Sequence, residues 1–260
     1  MAQPQSARPI GMFDSGVGGV SVLRDAHALL PRENFTYFGD NAHAPYGTRT
    51  EKEIRALTWR VVLHMLERDV KALVIACNTA TSAAAPFLRK HLALPIIGME
   101  PALKPASAYR SYGAILVLAT ETTLRLPKFQ SLMSQYGEGA VPTPCPGLVE
   151  LIEQGEFDSP ALHELLGKIL APYRGTRVGA VVLGCTHYVF ARKAIAKHFP
   201  TGTPIVDGNQ GTARQVSHVL KERGLLRPPL PNGQAGTIAF ATSGDAKTVI
   251  PFMRKLLRGE

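Results

Sequence analysis

The chain is poor in the residues that would staple it or load it with metal. Three cysteines stand among 260 residues, and no CxxC, HxxxH or HExxH spacing accompanies them. A disulfide framework and a closed zinc site are thereby excluded, and a reducing cytoplasm is the expected setting. Long apolar runs are missing as well: none approaches the ~20 residues of a membrane span, and no secretory leader pattern opens the sequence. There are no heptads and no low-complexity tract, and no Walker lysine follows the one glycine-rich turn. Acids are outnumbered, 20 against 29 Lys and Arg, for a net charge of +9. The cations are nevertheless scattered, with doublets at 89–90, 192–193 and 254–255 near expected helix ends, where they oppose the dipole. That pattern speaks for solvated helix faces and against nucleic acid or membrane as partner, while a positive field still favours an acidic small molecule. Neither a metal nor a cofactor is expected.

An apolar content of 45% with 19% charged residues provides for the core of one large or two small domains. The organising stretch is Ala72 to Thr79, Ala-Leu-Val-Ile-Ala-Cys-Asn-Thr. Its five apolar residues read as a strand buried on both faces, ending at Cys77, with Asn78 and Thr79 opening a helix. The phrase recurs as Ala180 to His187, Ala-Val-Val-Leu-Gly-Cys-Thr-His, so that Cys185 repeats Cys77 at an offset of 185 − 77 = 108. Pro95-Ile96-Ile97 is echoed by Pro204-Ile205-Val206 at 204 − 95 = 109. Two strand–cysteine–helix units at nearly constant offset imply two related α/β halves. A cysteine at the carboxyl end of a parallel strand sits where such sheets place ligands, and a helix N-terminus there favours a thiolate. Each thiol could serve as a base or as a nucleophile. Facing each other, the pair would suit removal of a proton from one face of a carbon and return of one to the other.

The remaining elements follow from periodicity and punctuation. Ile10 to Asp14 reads as a first strand, then the turn Ser15–Gly19 and an amphipathic helix to about Leu30. The turn could approach an anion closely, yet it lacks the full dinucleotide spacing. Asp14 at the strand tip could orient an ammonium or move a proton, or could merely cap the helix. Asn34–Gly39 is a second strand, and Asp40–Gly47 is a loop dense in special residues. Glu51–Asp69 has helical spacing, with Trp59, Val62, Leu63 and Leu66 on one side. Trp59 and His64 read as packing and surface residues. Gly98 to Pro101 crosses into the second half, where Gly113–Ala119 is a buried strand that leads into Thr120 to Thr123. Leu148–Gln154 and Ala161–Tyr173 are helical, and Cys145, in a proline-rich turn, is structural. Asp207-Gly208-Asn209 returns the chain to the first half for a strand at Thr237–Thr242 and a helix at Asp245–Leu257. Met1–Pro9 is expected to fray, and Arg227–Gly233 to form a surface loop. The domains so drawn are 1–97 plus 208–260 (with Asp14 and Cys77) and 98–207 (with Cys185 and His187).

Phe13 to Gly19, Tyr37 to Asp40, Ala44 to Gly47, Ala76 to Thr79 and Gly184 to His187, in this order, resemble the signature blocks of glutamate racemase, in the aspartate/glutamate racemase superfamily. The resemblance runs from about Ile10 to Gly208. It implies two pseudo-symmetric α/β domains with central, mostly parallel sheets and the active site in the cleft between them. It further implies a cofactor-independent, two-base isomerisation of L- and D-glutamate, feeding D-glutamate into peptidoglycan in the cytoplasm. By the same resemblance Cys77 acts on D-glutamate with the aid of Asp14, and Cys185 acts on L-glutamate with the aid of His187 and Glu153. Asp14, Ser15, Pro45, Tyr46, Gly47, Asn78, Thr79, Thr120, Thr123, Thr186 and His187 match substrate-contacting positions. Counting from Cys145 selects Glu153, with Glu150 its competitor. Ala119 departs from the family's glycine. His187 read by itself could simply cap its helix, and Ser15, Asn78 and Thr79 could be local caps. Members of this family are often homodimers. The rival readings are a racemase for aspartate or another amino acid, or a non-catalytic anion-binding module.

Overall fold

The computed structural model describes residues 4–229 and 234–260. The expectations for residues 1–3 and for 230–233 of the proline-rich loop therefore lie outside the described residues. In the first half the chain runs β1 (Ile10–Asp14), α1 (Val20–Leu29), β2 (Phe35–Gly39), α2 (Glu51–Glu67), β3 (Ala72–Ile75), α3 (Asn78–His91) and β4 (Ile96–Gly98). After the crossing come α4 (Leu103–Ala106), β5 (Ala114–Ala119), α5 (Glu121–Arg125), α6 (Pro127–Tyr136), β6 (Ala140–Pro144), α7 (Leu148–Glu153) and α8 (Pro160–Leu170). β7 (Val178–Leu183), α9 (Arg192–Ala196) and β8 (Ile205–Asp207) complete that half, before α10 (Asn209–Glu222), β9 (Ile238–Thr242) and α11 (Ala246–Arg258).

The strands form two sheets, β4-β3-β1-β2-β9 and β6-β5-β7-β8, every pair parallel. Read from the β4 edge of one and the β8 edge of the other, β4-β3-β1-β2 and β8-β7-β5-β6 share one order, so the duplication legible in the two cysteine phrases is a duplication of topology. Parallel strands are covered by helices on both faces, which is why β1 and β3 are wholly buried and read as unbroken apolar runs. Separate apolar clusters flank the first sheet, one around Ile10, Val20 and Leu220 and the other around Phe13, Ile54 and Leu88. The second sheet likewise lies between a cluster at Leu116, Leu166 and Tyr188 and another at Ile115, Phe129 and Val182.

Several expectations need correction. The buried stripe of α2 is Ile54, Leu57, Thr58, Val61, Val62 and Met65, while Leu63 and Leu66 are exposed. Of the side read from spacing, Val62 belongs to this stripe and Trp59 packs at its margin, half-buried, so the true stripe is turned away from Leu63 and Leu66. β6 was not anticipated, because two prolines in five residues hide a strand; it survives at the edge of its sheet, where a missing N–H costs least. α10 was missed as well; its apolar face, Ala213, Val216 and Leu220, joins the cluster of α1. The doublet at 192–193 opens α9 instead of ending a helix, and Arg192 pairs with Asp207.

α2 begins with a reciprocal cap. Thr50 Oγ1 accepts from the Glu53 N–H, and Glu53 Oε2 accepts from the Thr50 N–H at 2.9 Å. Thr50→Ala is expected to cost about 1 kcal/mol, since the orphan N–H loses its acceptor. In thermal unfolding that is a drop of about 2–4 °C in Tm.

Candidate active site

In each half the order of strands reverses between its first and third: β1 and β3 in one, β5 and β7 in the other. At such a switch point the helices leave to opposite faces, and the strand ends open a crevice. Asp14 and Ser15 follow β1, and Cys77, Asn78 and Thr79 follow β3; Thr120 follows β5, and Cys185, Thr186 and His187 follow β7. The two crevices meet in one cavity, lined by Ser15, Pro45, Tyr46, Gly47, Cys77, Asn78, Thr79, Thr120, Val149, Cys185, Thr186 and His187. It is tight: about 10 Å³ is wide enough for the centre of a water molecule. A far larger concavity, about 1540 Å³, runs along Arg89, Lys128, Arg192 and Arg214 and holds neither thiol, so size does not mark the site.

The polar groups are arranged as two chains of carboxylate, mediator and sulfur. On one side Ser15 Oγ lies 3.4 Å from Asp14 Oδ1 and 3.8 Å from Cys77 Sγ. On the other, His187 Nε2 lies 2.5 Å from Glu153 Oε1, and His187 Nδ1 3.6 Å from Cys185 Sγ. Asp14, Thr123 and Glu153 thus stand one layer behind the cavity wall. Asp14 is fully buried and also accepts from the Gly16 N–H at 2.9 Å and from Thr186 Oγ1 at 3.0 Å, the latter across the cleft. Glu153, not Glu150, is the glutamate on His187. It also accepts from the Val17 N–H at 2.7 Å and from Asn41 Nδ2 at 2.9 Å, both in the first half.

Burial and charge set the protonation states. Burial pushes the Cys77 thiol up to about 12, and the neighbouring Asp14 charge adds to the effect, so this sulfur rests protonated at neutral pH. Burial also raises Asp14, partly offset by His187, the Gly16 N–H and Thr186. Burial works against the His187 cation, but its bonds to Cys185 and Glu153 prevail and hold its pKa well above the ordinary histidine value. Desolvation likewise works against the Glu153 charge, and is outweighed by His187, Val17 and Asn41 so that this carboxyl stays below the usual range. The expected helix after Cys185 is only a 3-10 turn, Thr186–Val189, so on this side His187 takes the place of a helix dipole. Cys77 does cap α3, its sulfur accepting from the Ala80 N–H.

Asn78 is the sharpest sign of a ligand. The residue is 3% exposed, and among the described residues neither Oδ1 nor Nδ2 has a partner. Buried amides are almost always satisfied, so one that lines a cavity and is left idle is free to meet a ligand. Thr79 Oγ1 reaches Thr123 Oγ1 at 2.8 Å and Thr120 Oγ1 at 3.1 Å, a hydroxyl cluster shared between the halves. Tyr46 OH is committed to Asp40 Oδ2 at 2.5 Å, so this residue shapes the cavity with its ring and backbone. Val149 and Asn41 escaped sequence reasoning: one is an apolar helix residue, and the other lies in a loop that was singled out without any spacing rule to choose among its members. Cys145 is buried with its sulfur donating to the Thr143 carbonyl, outside the cavity.

The profile of the Asp/Glu/hydantoin racemase family matches residues 18–216. A glutamate racemase of Clostridium botulinum (strain Alaska E43 / Type E3) is 45% identical over 253 residues, covering 96% of this chain and 97% of the relative. Among solved structures, the glutamate racemase of Escherichia coli in complex with L-glutamate superposes with a TM-score of 0.82 at 29% identity, covering 95% of each chain. That of Francisella tularensis in complex with D-glutamate has a TM-score of 0.82 at 25% identity, over 98% of this chain and 95% of the other. A doubled parallel fold, two cysteine-bearing crevices that meet and near full-length similarity converge: the chain belongs to the Asp/Glu/hydantoin racemase family, among its glutamate racemases.

Proposed function

We propose that this protein interconverts L- and D-glutamate with no cofactor, Cys185 serving the α-proton of the L enantiomer and Cys77 that of the D enantiomer. The observation that carries this reading is that two thiols, contributed by equivalent strand ends of the two halves, line one narrow cavity, each with its own carboxylate and mediator. Each half with its helices is taken as a domain, 1–97 with 208–260 and 98–207. Glutamate would lie between them with its α-carbon between the sulfurs.

With L-glutamate bound, Cys185 acts as a thiolate paired with the His187 cation and removes the α-hydrogen, while Cys77, resting as a thiol, delivers its own proton to the opposite face. The return reaction exchanges the roles. An α-proton beside an ammonium and a carboxylate is a weak acid, so the carbanion must be met by fixed donors in a site emptied of water. Asn78, Thr79 and the start of α3 supply N–H and amide donors on one side, and Thr186 with Thr120 supplies hydroxyls on the other. The chain's charge of +9 favours arrival of a dicarboxylate. Among the described residues no helix is long and apolar enough to cross a membrane. A cytoplasmic site of action, D-glutamate for peptidoglycan and a homodimeric state complete the reading.

Incubation with L-glutamate in deuterated water tests it. Deuterium should enter the α-position as D-glutamate accumulates, and the mixture should settle at equal amounts of the enantiomers. Exchange with aspartate but not glutamate would shift the substrate; inert amino acids together with phosphate binding would reduce the chain to an anion-binding module.

A further inference from the structure

Glu153 belongs to the second half, yet two of its three partners come from the first. Oε1 takes the Val17 N–H and His187, while Oε2 takes Asn41 Nδ2 and, among the described residues, nothing else. Asn41 does not touch the cavity. Its amide is itself held from behind: Thr242 Oγ1, at the end of β9, donates to Asn41 Oδ1 at 2.9 Å. Because the Glu153 carboxylate can only accept, the amide nitrogen must face it, and the hydroxyl of Thr242, donating to the oxygen, holds the amide in that orientation. Thr242 Oγ1 is in turn set by the Gly244 N–H at 3.0 Å. A continuous line of hydrogen bonds therefore runs Thr242–Asn41–Glu153–His187–Cys185, crossing from one half to the other at Asn41.

We propose that Asn41, oriented by Thr242, is a positioning residue for the Cys185 half of the reaction, locking the Glu153 carboxylate so that His187 stands over Cys185 only when the two halves are together. A carboxylate held at one oxygen alone can rotate; held at both, it presents Oε1 to the imidazole in a single geometry. The device is one-sided. Cys77 is served by Ser15 and Asp14, which make no bond to Asn41. Loss of Asn41 must therefore weaken proton transfer at one face of the substrate and spare the other. The titratable groups around Glu153 (His187, Asp14 and Tyr37) remain in place in such variants.

The inference rests on the two-thiol reading, and the test separates the two. The L and D forms of 3-chloroglutamate each need only one thiol. The α-proton goes to the thiolate, chloride leaves from the β-carbon, and the enamine so formed hydrolyses in water to 2-oxoglutarate and ammonium. Asn41→Asp keeps size and shape but turns a donor into a carboxylate facing Glu153; Thr242→Val removes only the hydroxyl that orients the amide. Release of 2-oxoglutarate from the L analogue should fall about tenfold or more in Asn41→Asp and about threefold in Thr242→Val, in line with loss of a charge-assisted and of a neutral hydrogen bond. Release from the D analogue should stay within about twofold of wild type, while racemisation of glutamate should slow equally in both directions. Equal loss on both analogues, or loss on neither, would overturn the role of Asn41. Wild-type protein that eliminated from neither analogue and racemised nothing would overturn the two-thiol reading itself, and this inference with it.

Discussion

Cys77→Ser and Cys185→Ser are each expected to lower racemisation by at least about 10³-fold in both directions. Every turnover needs one sulfur to take a proton and the other to give one, so no direction avoids either. An alcohol is a far weaker acid than a thiol and so a poor source of base at neutral pH; a change of several pKa units at about 1.4 kcal/mol each exceeds what the rest of the site can restore. Folding should be unaffected, because the exchange is nearly isosteric and each sulfur has a polar neighbour, Ser15 for one and His187 for the other. Elimination from 3-chloroglutamate then reads out the surviving thiol: Cys77→Ser should process the L analogue only, and Cys185→Ser the D analogue only. Circular dichroism at a wavelength sensitive to glutamate chirality follows the first property, and 2-oxoglutarate release the second. If both variants favoured the same enantiomer, the assignment of sulfurs to faces would be wrong.

Gly18→Ala is the second change with a large expected effect. A Cβ built on Gly18 overlaps the His187 ring and the Thr186 hydroxyl, and the Gly18 backbone nitrogen already lies 3.2 Å from His187 Nε2. All of these atoms belong to the opposite half. The three nearest atoms are thus across the cleft, so each half should fold while their approach is prevented. Overpacking typically costs about 1–3 kcal/mol, and a 1 Å misplacement of reacting groups about 10²-fold in rate. Together these predict a fall in kcat/KM of about 10²–10³-fold at both enantiomers, with Tm lowered by about 2–12 °C. Steady-state kinetics beside a melting curve check it. Unchanged turnover would mean that the close fit of the Gly16–Gly19 turn against Thr186 and His187 has no part in catalysis.

Much of this architecture can be read in advance because a doubly covered parallel strand is nearly pure apolar text. Ile10–Asp14 and the two cysteine phrases declare themselves, and their recurrence at an offset of 108 foretells the shared strand order. What escapes is whatever depends on partners distant in sequence. β6 carries two prolines and exists because β5 offers it an edge. α10 has ordinary composition and is held by α1. In the site, the sulfurs and their polar followers are legible as motif, whereas the depth of each residue is not. Asp14 and Thr123 match substrate-contacting positions, and they sit outside the cavity lining, behind Ser15 and Thr79. Glu150 and Glu153 are three residues apart on α7 and so lie on nearly the same face, about 4.5 Å apart along the axis, and only Glu153 meets His187. Asn41 is invisible to pattern altogether, since its meaning lies in residues 112 and 201 positions away.

The place of β9 has a consequence for how the molecule is made. A ribosome delivers β1 through β4 early, but the neighbour that β2 requires, β9, arrives some two hundred residues later, together with α11, which supplies Met253 and Leu256 to the same apolar cluster. The second sheet is contiguous in the chain and can mature as it emerges, so the half begun first is the last to be finished. An unfinished nascent chain could hold Cys185 and His187 in place and still lack Thr242, and with it the full alignment of the opposing wall. On the proposed role of Asn41, the alignment at Cys185 is thereby deferred until β9 has been delivered.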